Sequence, residues 1–84
     1  MAKVLVTLRI MPKDINVDIQ NLKSEILSKI KASIQEVPIA FGLTALDVFV
    51  LAEDKEGEME RIEKLLKEIN GVGEIEVIEV TRTF

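Results

Sequence analysis

Cysteine, histidine, tryptophan and tyrosine are all missing from these 84 residues. Without cysteine there are no disulfides, thiolate metal sites, iron–sulfur clusters or thiol nucleophiles, and a small uncrosslinked domain fits a reducing cytoplasm. Without histidine, the usual zinc sites and imidazole acid–base chemistry fall away as well. The apolar runs fall far short of the ~20 residues that a membrane helix needs. The opening MAKVLVTLRIMPKD alternates and then turns, where a signal peptide would be a continuous apolar block. Positive charge is also short: 11 Lys and Arg against 15 Asp and Glu leave a net charge of −4. That balance argues against wholesale binding to a phosphate backbone. The expected setting is cytoplasmic, with no membrane, no direct nucleic acid, and no metal or cofactor carried by the chain.

Aliphatic residues dominate what is present. Hydrophobic residues make up 48% and charged ones 31%, a mixture suited to one efficient core under a solvated surface. Val4, Val6, Leu8 and Ile10 alternate, which predicts a first strand with one face inward, ended by Met11-Pro12-Lys13-Asp14. Asp18 is a candidate N-cap. Ile19, Leu22, Ile26 and Ile30 then form one helical stripe, predicting a helix from Ile19 to about Ser33. Ile34 to Phe41 reads as extended, with Pro38 suited to an edge strand and Gly42 to a bend. Leu46, Val48 and Val50 alternate along a central strand, and Glu53-Asp54-Lys55-Glu56-Gly57 turns out of it.

Met59, Ile62, Leu65, Leu66 and Ile69 make a second helical stripe, with Glu60–Lys64 and Glu63–Lys67 in favourable i,i+4 register and Asn70-Gly71 as its stop. Glu74 to Thr83 predicts a last strand whose pattern slips, since Ile75 and Val77 alternate and then Ile78 and Val80 do. Such a slip marks a β-bulge or a strand packed on two surfaces. The order β-α-β-β-α-β specifies a single α+β domain over residues 1–84. It is of the ferredoxin-like split type, a four-stranded antiparallel sheet with two helices on one face.

That fold hosts many unrelated functions, so function rests on sites. Ser24, Ser28 and Ser33 are placed on the first helix with no histidine to act as base. The carboxylates are scattered, and no pair stands out as having separated pKa values. Gly71-Val72-Gly73 follows a helix and opens a strand, the reverse of a phosphate-binding loop, and reads as a cap and turn. An RNA platform on the sheet would need stacked aromatics and basic residues. Phe41, Phe49 and Phe84 are the whole aromatic complement. Phe49 lies on the helix-free face beside Leu5 and Leu51, an apolar surface better suited to a protein contact. A ligand-binding or dimerising regulatory module of the same topology is the alternative.

The stretch VPIAFGL, Val37 to Leu43, leaves two readings open on residue types alone. In one, Ile39 and Phe41 face the core while Pro38 and Gly42 shape the edge. In the other, Pro38, Ile39, Ala40, Phe41, Gly42 and Leu43 form a contact loop for a partner.

EVPIAFGLTAL, Glu36 to Leu46, together with Met11-Pro12, Val17-Asp18-Ile19 and Gly71-Val72-Gly73-Glu74-Ile75-Glu76-Val77, resembles the archaeal form of the translation elongation factor 1-beta family. The resemblance spans the chain, and its central motif is the specific part. It implies a ferredoxin-like guanine-nucleotide exchange factor for elongation factor 1-alpha, the GTPase that delivers aminoacyl-tRNA, acting without covalent chemistry. Apart from the resemblance, a monomer is the expected state. The resemblance also implies that Phe41 anchors the partner, since the matching aromatic of the eukaryotic relatives lies at the GTPase contact. Those relatives thrust a lysine near their C-terminus toward the Mg²⁺ site. This chain ends Val80-Thr81-Arg82-Thr83-Phe84 instead, so Arg82 and Phe84 are the residues there that such a role would fall to.

Overall fold

The computed structural model describes residues 3–82. Strands β1 (Lys3–Pro12), β2 (Ser33–Pro38), β3 (Thr44–Glu53) and β4 (Val72–Arg82) and helices α1 (Ile19–Lys29) and α2 (Glu58–Lys67) follow the order β-α-β-β-α-β. The sheet runs β2-β3-β1-β4, antiparallel throughout. Period-two patterning puts Val4, Val6, Leu8 and Ile10 of β1 beside Leu46, Val48 and Val50 of β3 on one face. Leu22 and Ile26 of α1 and Ile62 and Leu66 of α2 close over that face, and all are buried. This is the expected ferredoxin-like α+β architecture.

The Asp18 carboxylate accepts from the Asn21 N–H at 3.2 Å and starts α1 as a side-chain cap. Asp18→Ala is expected to cost about 1 kcal/mol, read as a lower midpoint in urea unfolding with an unchanged slope. α1 ends at Lys29, four residues before the expected Ser33. Ile30 still packs on the core, which is why it continues the helical spacing, but its backbone is already extended (φ −138°, ψ 157°). Ser33 therefore opens β2, opposite Phe49, and does not belong to the helix.

Two further boundaries differ from expectation. Regular α2 ends at Lys67 with Glu68 as its cap, so Asn70-Gly71 is the turn into β4. Gly71 has φ +107° there, and its carbonyl accepts from the Lys13 N–H at 2.9 Å. β4 begins at Val72, two residues early, because Val72 pairs with Pro12 across a register irregularity. The expected final residue of that strand, Thr83, lies outside the described residues. Along α2 the ion pair is Arg61 with Glu58 at 2.7 Å, in place of the expected Glu60–Lys64 and Glu63–Lys67. Exposed pairs of this kind gain little over solvation and lose side-chain entropy, so spacing alone does not select them.

The slip in the last strand is a β-bulge. Thr7 pairs with Glu79 and Leu8 with Val77, leaving Ile78 as the extra residue.

Candidate functional site: an exposed aromatic loop and a distant guanidinium

Pro38 ends the edge strand β2 opposite Thr44, and its missing donor stops the ladder there. The chain then makes one 3₁₀ turn over Ala40–Gly42. Ile39 donates its N–H to the Leu43 carbonyl at 2.9 Å, and Leu43 donates back to Ala40 at 3.3 Å. These two bonds clamp the base of the loop. Ile39 is still extended, as expected, though past the end of β2, whereas Ala40 and Phe41 belong to the turn and do not continue the extended segment.

Phe41 sits at the apex with φ 63° and ψ 31°. It is the one non-glycine residue with positive φ among those described, and Gly42 follows at φ +76°. Left-handed backbone is unfavourable for a side chain with a Cβ. The ring gains nothing from it in the free chain, for Phe41 is 94% exposed. The reading that placed Phe41 in the core is overturned. Ile39 is half-buried, so the loop holds its own base and projects the aromatic.

Arg82 stands elsewhere. It pairs with Val4 at the last turn of the β1–β4 ladder, and Val4 lies opposite Ala52. Thr44, beside the loop, is eight positions from Ala52 along β3, which at about 3.3 Å per residue separates the two ends by about 26 Å. The long axis of the molecule is 41 Å. Six of the eight candidate residues, 38 to 43, are thus brought together in one loop. Arg82 is at the opposite end, and Phe84 lies outside the described residues. The Arg82 guanidinium donates to the Asp54 carboxylate in the β3–α2 turn, a pairing that residue spacing gave no means to anticipate.

Neighbouring electrostatics stabilise the scaffold. Arg9 grips Asp47 with two bonds of 2.8 and 3.1 Å on the helix-free face. On the approach to the loop, Glu36 accepts from Lys23 at 2.9 Å and Gln20 at 3.1 Å. Lys23 first, and then Gln20, hold its carboxyl below the usual range. Arg61 does the same for Glu58. In both cases the unfolded chain binds the proton more readily. The stabilisation is full above the ordinary carboxylate range and fades as pH falls through the lowered folded values.

Among the described residues no group of three or more His, Cys, Asp or Glu is arranged to hold a metal ion, and every buried side-chain polar atom has a partner. What the geometry offers is a domain with an apolar tip at one end and a cation at the other. A family model described as the EF-1 guanine nucleotide exchange domain matches residues 5–83 of this chain. The chain belongs to that exchange-domain family.

Its relatives within the family agree. Elongation factor 1-beta of Thermoplasma volcanium is 44% identical over 80 residues, covering 89% of this chain and 91% of the relative. That of Methanothermobacter thermautotrophicus is 44% identical over 87 residues, and that of Aeropyrum pernix 43% over 88, each covering 98% of both chains. Among solved structures, the ACT domain from the GTP pyrophosphokinase of Chlorobium tepidum superposes with a TM-score of 0.60, covering 90% of this chain and 99% of that one. At 18% identity that likeness establishes the exchange domain's fold alone. No helix among the described residues is long and apolar enough to cross a membrane.

Proposed function

We propose that this domain promotes exchange of GDP for GTP on elongation factor 1-alpha, the GTPase that delivers aminoacyl-tRNA, by binding its nucleotide-depleted form. A GTPase holds GDP through backbone amides, a lysine and an Mg²⁺ ion bridging the phosphates. A factor that prefers the empty form weakens nucleotide binding by the same ratio, because the two equilibria are linked. No bond needs to be made or broken, so the reading requires no covalent catalysis and no cofactor in the chain.

The observation that carries the reading is Phe41, an aromatic ring 94% exposed on a backbone conformation that disfavours it. A ring held out in this way stabilises a partner's pocket rather than its own core. Pro38, Ile39, Ala40, Gly42 and Leu43 form the mount. Arg82 acts at the other contact, where its charge competes with the Mg²⁺ or the phosphates. To do so it must exchange Asp54 for a group of the GTPase. The partner then has to follow the domain for about 26 Å, the length of eight strand steps.

The test is release of a fluorescent GDP from elongation factor 1-alpha with and without the purified domain. Acceleration is expected, and none at any Mg²⁺ concentration would refute the proposal. Arg82→Ala is expected to slow release about tenfold in Mg²⁺, equal to about 1.4 kcal/mol in the barrier. The deficit should shrink when Mg²⁺ is chelated. A deficit of the same size in chelator would assign Arg82 to plain docking instead.

A further inference from the structure

The sheet has two outer strands, and they are finished differently. β2 is six residues long and ends in Pro38, and Lys23 and Gln20 reach over to Glu36 on it. β4 is eleven residues long and contains no proline. Its inner rim pairs with β1 from Val72 to Arg82. Among the described residues, its other backbone hydrogen bond runs from the Val72 N–H to the Ile69 carbonyl. Among the described residues, the outer rim is open from Gly73 to Arg82.

The register sorts the side chains of this open strand by chemistry. Glu74, Glu76 and Glu79 lie opposite Met11, Arg9 and Thr7, on the helix-free face. Ile75, Val77 and Val80 lie opposite Ile10, Leu8 and Val6, on the helix side. The bulge at Ile78 makes the sorting possible, since in an unbroken strand Glu79 would fall with Val77 and Val80 with the acids. Ile75 packs on the core. Val77 and Val80, further along, are 42% and 54% exposed, past the reach of the helices. One face of the rim is therefore a row of carboxylates and the other a strip of uncovered aliphatics. Arg9, the cross-strand partner of Glu76, has both of its short bonds on Asp47.

We propose that the outer rim of β4 takes up an extended peptide segment of alternating basic and aliphatic residues as a fifth strand. Strand addition supplies main-chain hydrogen bonds, and alternate side chains supply specificity. In register, the basic residues of the guest meet Glu74, Glu76 and Glu79, while its aliphatic residues extend the strip of Val77 and Val80. A second copy of this chain is the wrong guest. Joining two β4 strands edge to edge would gather both carboxylate rows on one continuous face, and like charges oppose such pairing. The surface is separate from the Phe41 loop and does not depend on the exchange reading.

The probe is a short acetylated peptide of alternating Lys and Val, titrated at low salt into the isotope-labelled full chain and followed by NMR. Shift changes and slowed amide exchange are expected over residues 73–81, with binding lost at high salt. The triple variant E74Q/E76Q/E79Q should bind about tenfold more weakly, as three cross-strand charge pairs imply. A twin peptide, methylated on alternate backbone nitrogens, keeps the charge but loses the donors and should not bind. Equal binding of the twin, changes spread over the α2 surface, or no binding would each overturn the proposal. So would a concentration-dependent dimer through β4 in sedimentation.

Discussion

Replacing Phe41 by glycine is expected to give a domain that is more stable and yet nearly unable to accelerate nucleotide release. The backbone at this position has φ 63° and ψ 31°. An L-residue loses about 1–2 kcal/mol in that conformation, which glycine does not. Glycine's extra freedom in the unfolded chain takes back about 0.5–1 kcal/mol. A net gain of up to about 1.5 kcal/mol remains, visible as a higher melting temperature. The ring itself is 94% exposed, so its removal forfeits no packing in the free domain. Bound, an aromatic of about 150–200 Å² at about 25 cal/mol per Å² contributes about 4 kcal/mol. Truncation of such an anchor typically costs 2 kcal/mol or more, so exchange at subsaturating factor should fall by about 30-fold. Phe41→Ala separates the two effects, because it keeps the strain and loses the ring. Its melting temperature should stay near that of the parent while its activity drops with that of the glycine variant. A fully active Phe41→Ala protein would remove the loop from the interface.

The largest loss of stability is expected at Gly73. A Cβ there would stand 2.9 Å from the Lys13 Cα, 3.0 Å from the Pro12 carbonyl oxygen and 3.1 Å from the Lys13 nitrogen. All three are backbone atoms, so no side chain can swing aside. The crowding lies beside the register irregularity between Met11 and Pro12 and next to the Lys13–Gly71 hydrogen bond. Relief requires β1 and β4 to part at this end. Gly73→Ala should then cost about 2–3 kcal/mol, toward the upper end for overpacked sites, and lower the melting temperature by about 10–20 °C. Gly57→Ala is the comparison. Its Cβ meets nothing within 4 Å, and only the left-handed φ of +86° opposes it. A loss near 1 kcal/mol is expected there, and thermal unfolding of the two variants side by side checks the ranking.

Much of this was legible in the residues before any coordinates. The alternations of β1 and β3 and the two helical stripes carry period information that survives into the core. The phase change between Val77 and Ile78 allowed a bulge or a strand packed on two surfaces, and the register decides for the bulge. The end of α1 was harder. Ile30 satisfies the helical spacing and also packs on the core from an extended backbone, so periodicity could not separate the two. Phe41 misled in one of its two readings, since alternation with Ile39 suits a strand and nothing in its own side chain reports φ. Gly42 was the one local hint. The Arg82–Asp54 pair and the distance from Arg82 to the loop depend on how β1 joins β3 and β4, and no single segment encodes that. The family signature located the loop, whereas only the register showed that the two candidate contacts face different ends.

Eight steps of β3 between the aromatic loop and Arg82 mean that the two contacts share no neighbours. Substitutions that far apart usually combine additively. Under the proposed exchange role, substitutions in the loop and at Arg82 should accordingly change exchange by factors that multiply. On that role a lineage could swap the cation at the strand's tip, or a designer could retune it, without disturbing the loop's own contribution to binding.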